Sequence, residues 1–198
     1  MKKTLLFLLS VLFLSTNSFA QSADISNAKS WTWLGIDYTS CYFITSIDFV
    51  NADDLFEKTK AWNNLVYTER EKYIEKTLKS KKVALSSNMI KERNAEIDIE
   101  KRITDDESFY THLDKDQVIK IVSDYNIPDD LSGIGLVLIA ESYNKLEESG
   151  AYYVTFIDLD TKEVLSTERK LGKARGFSFR NYWAYTYYLV LKEIGKEY

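Results

Sequence analysis

The chain has 198 residues, 26 basic and 30 acidic side chains and a formal net charge of −4, with one cysteine, one histidine and one proline. An acidic balance offers no general attraction to nucleic acid or anionic lipid, so no nucleic-acid partner is expected. A single cysteine closes no intrachain disulfide, and one cysteine with one histidine builds no Cys/His zinc site, so no cofactor or metal is expected and packing alone has to hold the fold.

Residues 1–20 read as a secretory signal. Lys2 and Lys3 form the charged start, Leu5 to Leu14 the apolar run, and Ser18-Phe19-Ala20 the small-residue cleavage site. The apolar run is short for a bilayer span, which takes about 20 residues. No cysteine follows the cut, which argues against a lipid anchor; an uncleaved anchor is the alternative. The expected product is a periplasmic or secreted chain of residues 21–198 with no transmembrane span. No linker-like composition or internal repeat divides it, so one domain is expected.

Trp31 to Phe49 is strand-like, as one long or kinked strand or as two joined near Thr39-Ser40. Cys41 lies among Tyr42, Phe43 and Ile44, which points to a buried thiol. Residues Asn51 to Asp54 offer helix caps, and Leu55, Thr59, Trp62 and Val66 follow at helical spacing. Thr68-Glu69-Arg70-Glu71 has the form of a capping box that opens a second helical stretch or continues the first. Between Ser80 and Tyr110 the pattern is weak: a short strand at Val83 to Leu85, a helical turn at Ser87 to Asn94, and an acidic loop at Asp105 to Glu107. Asp114 caps a helix carrying Val118, Ile121, Val122 and Tyr125, and Pro128 lies beyond its end.

Ile134 to Ala140 is an apolar run broken only by Gly135, the pattern of a strand buried on both faces. Glu141 to Gly150 reads as a solvated loop. Tyr152 to Leu159 is a second apolar strand, and Asp158 to Glu163 a turn. Val164 to Leu171 then alternates, as a strand nearer the sheet edge does. The last helix starts at the N-cap Ser178 and runs to about Ile194, with Trp183, Leu189 and Val190 on a broad apolar face that packs across the sheet.

The segments WTWLGIDY at 31–38, IAESYNK at 139–145 and GKARGFSFRNYW at 172–183 together resemble secreted envelope proteins of Bacteroidetes-type bacteria. That resemblance implies export and no particular activity. The hairpin YVTFIDLDTKEVL at 153–165 resembles the strand–turn–strand of the TolB N-terminal and CsgG-like α/β domains of envelope proteins, a likeness at the level of fold.

His112 lies in a polar loop with no motif around it, and catalysis by it is not expected. Asp105, Asp106 and Glu107 lack the spaced ligands and glycine of a calcium loop. The Gly172–Gly176 stretch is the strongest candidate: Lys173, Arg175 and Arg180 surround a turn into a helix N-terminus, where free N–H groups and the dipole favour anions. A solvated basic turn is the bland alternative. Glu141 and Asp37 each interrupt an apolar strand, where an unpaired charge is costly, and Arg175 or Arg180 is the expected partner.

The fold expected is one α+β domain: a mostly antiparallel sheet of four or five strands with helices mainly on one face. The function expected is a non-enzymatic envelope module that binds a protein or an anionic ligand through Lys173, Arg175, Arg180, Glu141 and Asp37. The alternative is a carboxylate-dependent hydrolase or transferase near the Gly172 turn. An open strand edge or apolar patch favours the first, a cleft with two acids the second.

Overall fold

A computed structural model of the chain describes residues 24–45, 48–49 and 51–198; the expected signal segment lies outside the described residues. Seven strands form one sheet: β1 (Ser30–Asp37), β2 (Tyr42–Ile44), β3 (Lys82–Leu85), β4 (Ile103–Thr104), β5 (Ile134–Asn144), β6 (Ser149–Asp158) and β7 (Val164–Lys173). Strand β5 is its axis. Along one side it pairs in parallel with β1, from Trp31↔Ile134 to Asp37↔Ile139, and then with β2, from Tyr42↔Ser142. β1 and β2 are therefore one line of strand broken around Tyr38–Cys41, near the expected joint. β3 flanks β1 and β4 flanks β2, also in parallel. On its other side β5 pairs antiparallel with β6, and β7 closes that flank.

The sheet is thus not mostly antiparallel. From β2 to β5 the connections carry helices: α1 (Ala52–Thr68), α2 (Asn88–Ala95) and α3 (Lys115–Ser123). Such crossovers return the chain to the same end of the sheet and produce parallel pairs, as in α/β domains. β5, β6 and β7 are joined by short turns, and only they run antiparallel. β5 also outruns its apolar stretch, because Glu141, Ser142 and Asn144 are buried in it with polar partners. The loop expected from Glu141 shrinks to the turn of residues 145–148.

Helices cover both faces, not mainly one. On one face α1, the π-helical turn Glu71–Glu75 and α4 (Phe179–Glu197) pack Trp62, Tyr73, Trp183 and Tyr187 against Trp31, Trp33, Leu136, Leu138 and Phe156. On the other, α2 and α3 pack Ile90, Val118 and Val122 against Leu34, Val137, Ile139 and Ile157. This is why residues 134–140 are apolar at successive positions: alternate side chains enter different cores. A β-bulge between Trp33 and Gly35, with Gly35 at φ 122°, lets Trp33 and Ile36 share one core while Leu34 enters the other.

Three caps formed where the sequence places them. Asn51 accepts from the Asp54 N–H, Ser178 from Asn181, and Asp114 forms a reciprocal capping box with Gln117. The box expected at Thr68 does not form. Its hydroxyl donates back to the Asn64 carbonyl, and the chain continues into the π turn.

The outer flank of the β1–β2 line has a gap between β3 and β4, and two asparagines fill it. Asn63 of α1 accepts from the Ile36 N–H at 2.8 Å and donates to the Ile36 carbonyl at 2.9 Å. Asn94 of α2 accepts from the Tyr38 N–H and donates to the same Ile36 carbonyl, both at 2.8 Å. Two side-chain amides replace the missing strand and leave no buried backbone group without a partner at Ile36 and Tyr38. Asn63→Ala or Asn94→Ala is expected to lower unfolding free energy by about 1–3 kcal/mol each, the cost of unmet buried polar groups. Denaturant midpoints check this, and midpoints equal to that of the wild type would refute the substitution of amides for a strand.

Candidate functional site

The five residues singled out in the sequence fall into two groups that the fold does not bring together. Asp37 ends β1 and Glu141 lies in β5 beside the bulge between Ala140 and Ser142; both are fully buried on the face covered by α2 and α3. Lys173, Arg175 and Arg180 are exposed at the end of β7, in the following loop and in the first turn of α4.

The two carboxylates find arginines other than those expected. Glu141 Oε1 accepts from the backbone N–H groups of His112 (3.0 Å) and Leu113 (2.9 Å), and its Oε2 accepts from Arg169 Nε at 2.5 Å. Arg169 reaches on to the Tyr110 carbonyl at 2.9 Å. Together they clamp the 3₁₀ turn Glu107–Thr111 and the residues after it onto the sheet. Asp37 Oδ1 accepts from the Thr39 N–H and hydroxyl, while Oδ2 accepts from the Tyr125 hydroxyl at 2.8 Å and from Arg93 Nε at 3.4 Å. Burial, and then the Asp37 charge, push the Tyr125 hydroxyl well above its ordinary pKa of 10, so it stays a donor to Asp37. Both carboxylates spend their acceptor sites inside the protein and hold its connections in place.

Arg93 and Arg169 were not singled out beforehand. Arg169 had one signal, its place in the alternating strand Val164 to Leu171, where it pairs with Tyr153 of the α2–α3 face. Arg175 and Arg180 do not play that part: they are exposed residues beyond Gly172, in the loop and in the first turn of α4.

Other expected features resolve as structure. Cys41 is buried, and burial pushes its thiol pKa well up, leaving it unreactive. His112 bonds the carbonyls of Phe109 (2.8 Å) and Ser40 (3.0 Å). Tyr38, Tyr143 and Tyr152 form a buried hydroxyl chain that ends on Thr186. Desolvation raises all three above their ordinary value and keeps them neutral. Among the described residues, no group of three or more His, Cys, Asp or Glu converges as metal ligands would, and no helix is long and apolar enough to cross a membrane.

Gly172 itself is not a turn residue. It lies in β7 opposite Gly150 of β6, and a Cβ on it would stand 2.0 Å from the Thr186 carbonyl oxygen of α4. The pair of glycines forms a flat seat on which α4 rests. The turn is made by Gly176, at φ 145°.

Beyond that turn lies an exposed apolar surface. Phe177 is fully exposed, and Leu146, in the β5–β6 turn, is 63% exposed. Register places them at one end of the sheet, since Asn144 pairs with Ser149 and Ser149 with Lys173. The Ala174 N–H donates to the Glu148 carbonyl, and Tyr182 bonds Lys145 at 3.1 Å and Glu148 at 2.9 Å, tying the two loops to α4. Between them opens a cavity of about 230 Å³ lined by Asp48, Lys145, Phe177, Phe179, Tyr182 and Trp183. Lys173 donates to the Glu147 carbonyl, and among the described residues neither Arg175 nor Arg180 forms an ion pair.

Fold and site together describe an α/β domain with a two-sided core, interior carboxylates that lock its connections, and an apolar, basic-flanked sheet end. No protein-family model matches the sequence, and no curated protein sequence matches it. Among solved structures, the LpoB C-terminal domain from Salmonella enterica is similar over 74% of this chain and 84% of that one, with 14% identity and a TM-score of 0.27. At that level of superposition no shared partner or activity follows.

Proposed function

We propose that the protein is an exported, non-catalytic binding module that docks a partner protein at the sheet end carrying Leu146 and Phe177. Export rests on the charge, apolar run and cleavage pattern of residues 1–20. The docking surface rests on one observation: among the described residues the two most exposed large apolar side chains, Phe177 and Leu146, project from adjoining loops at one sheet end, where Phe177 lines a cavity. Leaving a phenylalanine in water forgoes about 1.5–3 kcal/mol of burial, and aromatic anchors of this kind dominate interfaces. Arg175 and Arg180 flank it without carboxylate partners among the described residues, so the occupant is a protein segment with an apolar side chain set among acids. A carboxylate enzyme is disfavoured, because Asp37 and Glu141 are buried and fully engaged.

A photo-crosslinker placed at position 177 of the full chain, in cells that make it, tests the surface. A discrete protein adduct is expected, its yield falling at least about tenfold when Lys173 and Arg175 are changed to Glu, given the steep effect of like-charge juxtaposition. The same crosslinker at Ile119, an exposed apolar residue on α3, is expected to give no such adduct. Equal patterns from the two positions, or labelling of lipid alone, would defeat the docking surface.

A further inference from the structure

The gap in the sheet flank opens outward into a second cavity, of about 550 Å³, lined by Thr39 and Tyr42 at the β1–β2 break, Arg93 and Glu96 at the end of α2, and Lys101 and Arg102 before β4. It lies beyond the carboxyl end of β1, on the outer flank of the β1–β2 line between β3 and β4. Two guanidinium groups enter it, and both are held by ring faces. Arg102 lies over the Tyr42 ring at 5.0 Å, and Tyr42 is itself stacked on Phe109 at 3.9 Å. Arg93 lies over the Tyr125 ring at 4.8 Å.

A guanidinium held by its π face keeps its in-plane N–H donors for other acceptors. Arg102 has no carboxylate partner among the described residues. Arg93 makes only long contacts, 3.4 Å to Asp37 and 3.4 Å to the Asp124 carbonyl. Both arginines are half-buried, whereas the acids of the rim, Glu96 and Asp98, are exposed, and Lys101 pairs with Asp98 at 2.6 Å. The inner wall is therefore cationic and preorganised, and the outer rim is solvated.

We propose that this cavity is a binding site for a small oxyanion ligand, a carboxylate or phosphate group gripped by Arg93 and Arg102 with its body against Tyr42. The site is separate from the Phe177 surface and stands or falls without it.

Calorimetric titration of the full chain with sodium phosphate and with succinate, at constant ionic strength, tests the proposal. Saturable binding of at least one of them is expected. Arg102→Ala is expected to weaken it about tenfold or more, the loss of one charge-assisted contact. Arg102→Lys, which keeps the charge but not the fork, is expected to fall between, and Lys173→Ala/Arg175→Ala to bind as the wild type does. Circular dichroism of each variant separates lost binding from lost folding. Absence of saturable binding of both probes by the folded wild type, or equal affinity in the folded Arg102→Ala variant, would overturn the site.

Discussion

Gly172→Ala is expected to destabilise the protein by about 3 kcal/mol or more, at or beyond the upper end for an overpacked core. The added methyl group would meet backbone rather than a side chain that can swing away. It would lie 2.0 Å from the Thr186 carbonyl oxygen and 2.5 Å from its carbon, so α4 or β7 must shift as a whole. Such a shift also strains the hydrogen bond between Thr186 and Tyr152 that ends the buried hydroxyl chain. Gly176→Ala makes the contrast: its cost comes from a positive φ of 145° on an exposed loop, with the nearest atom 3.1 Å away. Comparing denaturant midpoints of the two variants separates the roles. A Gly172→Ala midpoint equal to that of the wild type would return Gly172 to the part of a flexible turn.

Trp183→Ala is expected to cost about 3–5 kcal/mol, the range for truncating a buried aromatic residue. Trp183 is 1% exposed and packs against Phe49 at 5.3 Å, Tyr143 at 5.1 Å and Tyr182 at 5.1 Å between ring centroids. Since small domains unfold with about 5–15 kcal/mol in total, this single change threatens the fold. Trp183 also forms the back wall of the cavity beneath Phe177. The two positions are therefore expected to separate cleanly. Trp183→Ala lowers the denaturant midpoint, while Phe177→Ala leaves it close to the wild-type value and removes partner contact. A wild-type midpoint for Trp183→Ala would mean that the ring is available to a ligand.

Both results bear on how the sheet end works. The exposed loops of residues 145–148 and 174–178 rest on rigid elements, β5–β6 on one side and α4 on the other, joined through Tyr182. An anchor such as Phe177 loses less entropy on binding when its loop is already tied down. The glycine seat sets how closely α4 approaches the sheet at Thr186.

The sequence by itself determined the local features of this protein. A run at 134–140 with apolar residues at successive positions required cover on both faces, and both faces are covered. Asn51, Asp114 and Ser178 marked three helix starts because a cap bonds within three residues of itself. The parallel pairing of β1 to β5 came from the structure and not from the sequence. The antiparallel expectation arose from weighting the three C-terminal strands, which are joined by short turns.

Only the tertiary structure decided which polar groups meet. Asp37 joins Arg93 across 56 positions, Glu141 joins Arg169 across 28, and Asn63 and Asn94 reach backbone 27 and 56 positions away. Hydrophobic periodicity places a side chain on a face but does not choose its partner there. Gly172 is the same lesson in backbone. Its neighbours in the chain suggest a turn, and the reason for a glycine is a helix that crosses the strand at Thr186. The Arg93–Arg102 cavity likewise exists because β3 and β4 stop short of one another, a feature of sheet register that no single segment carries.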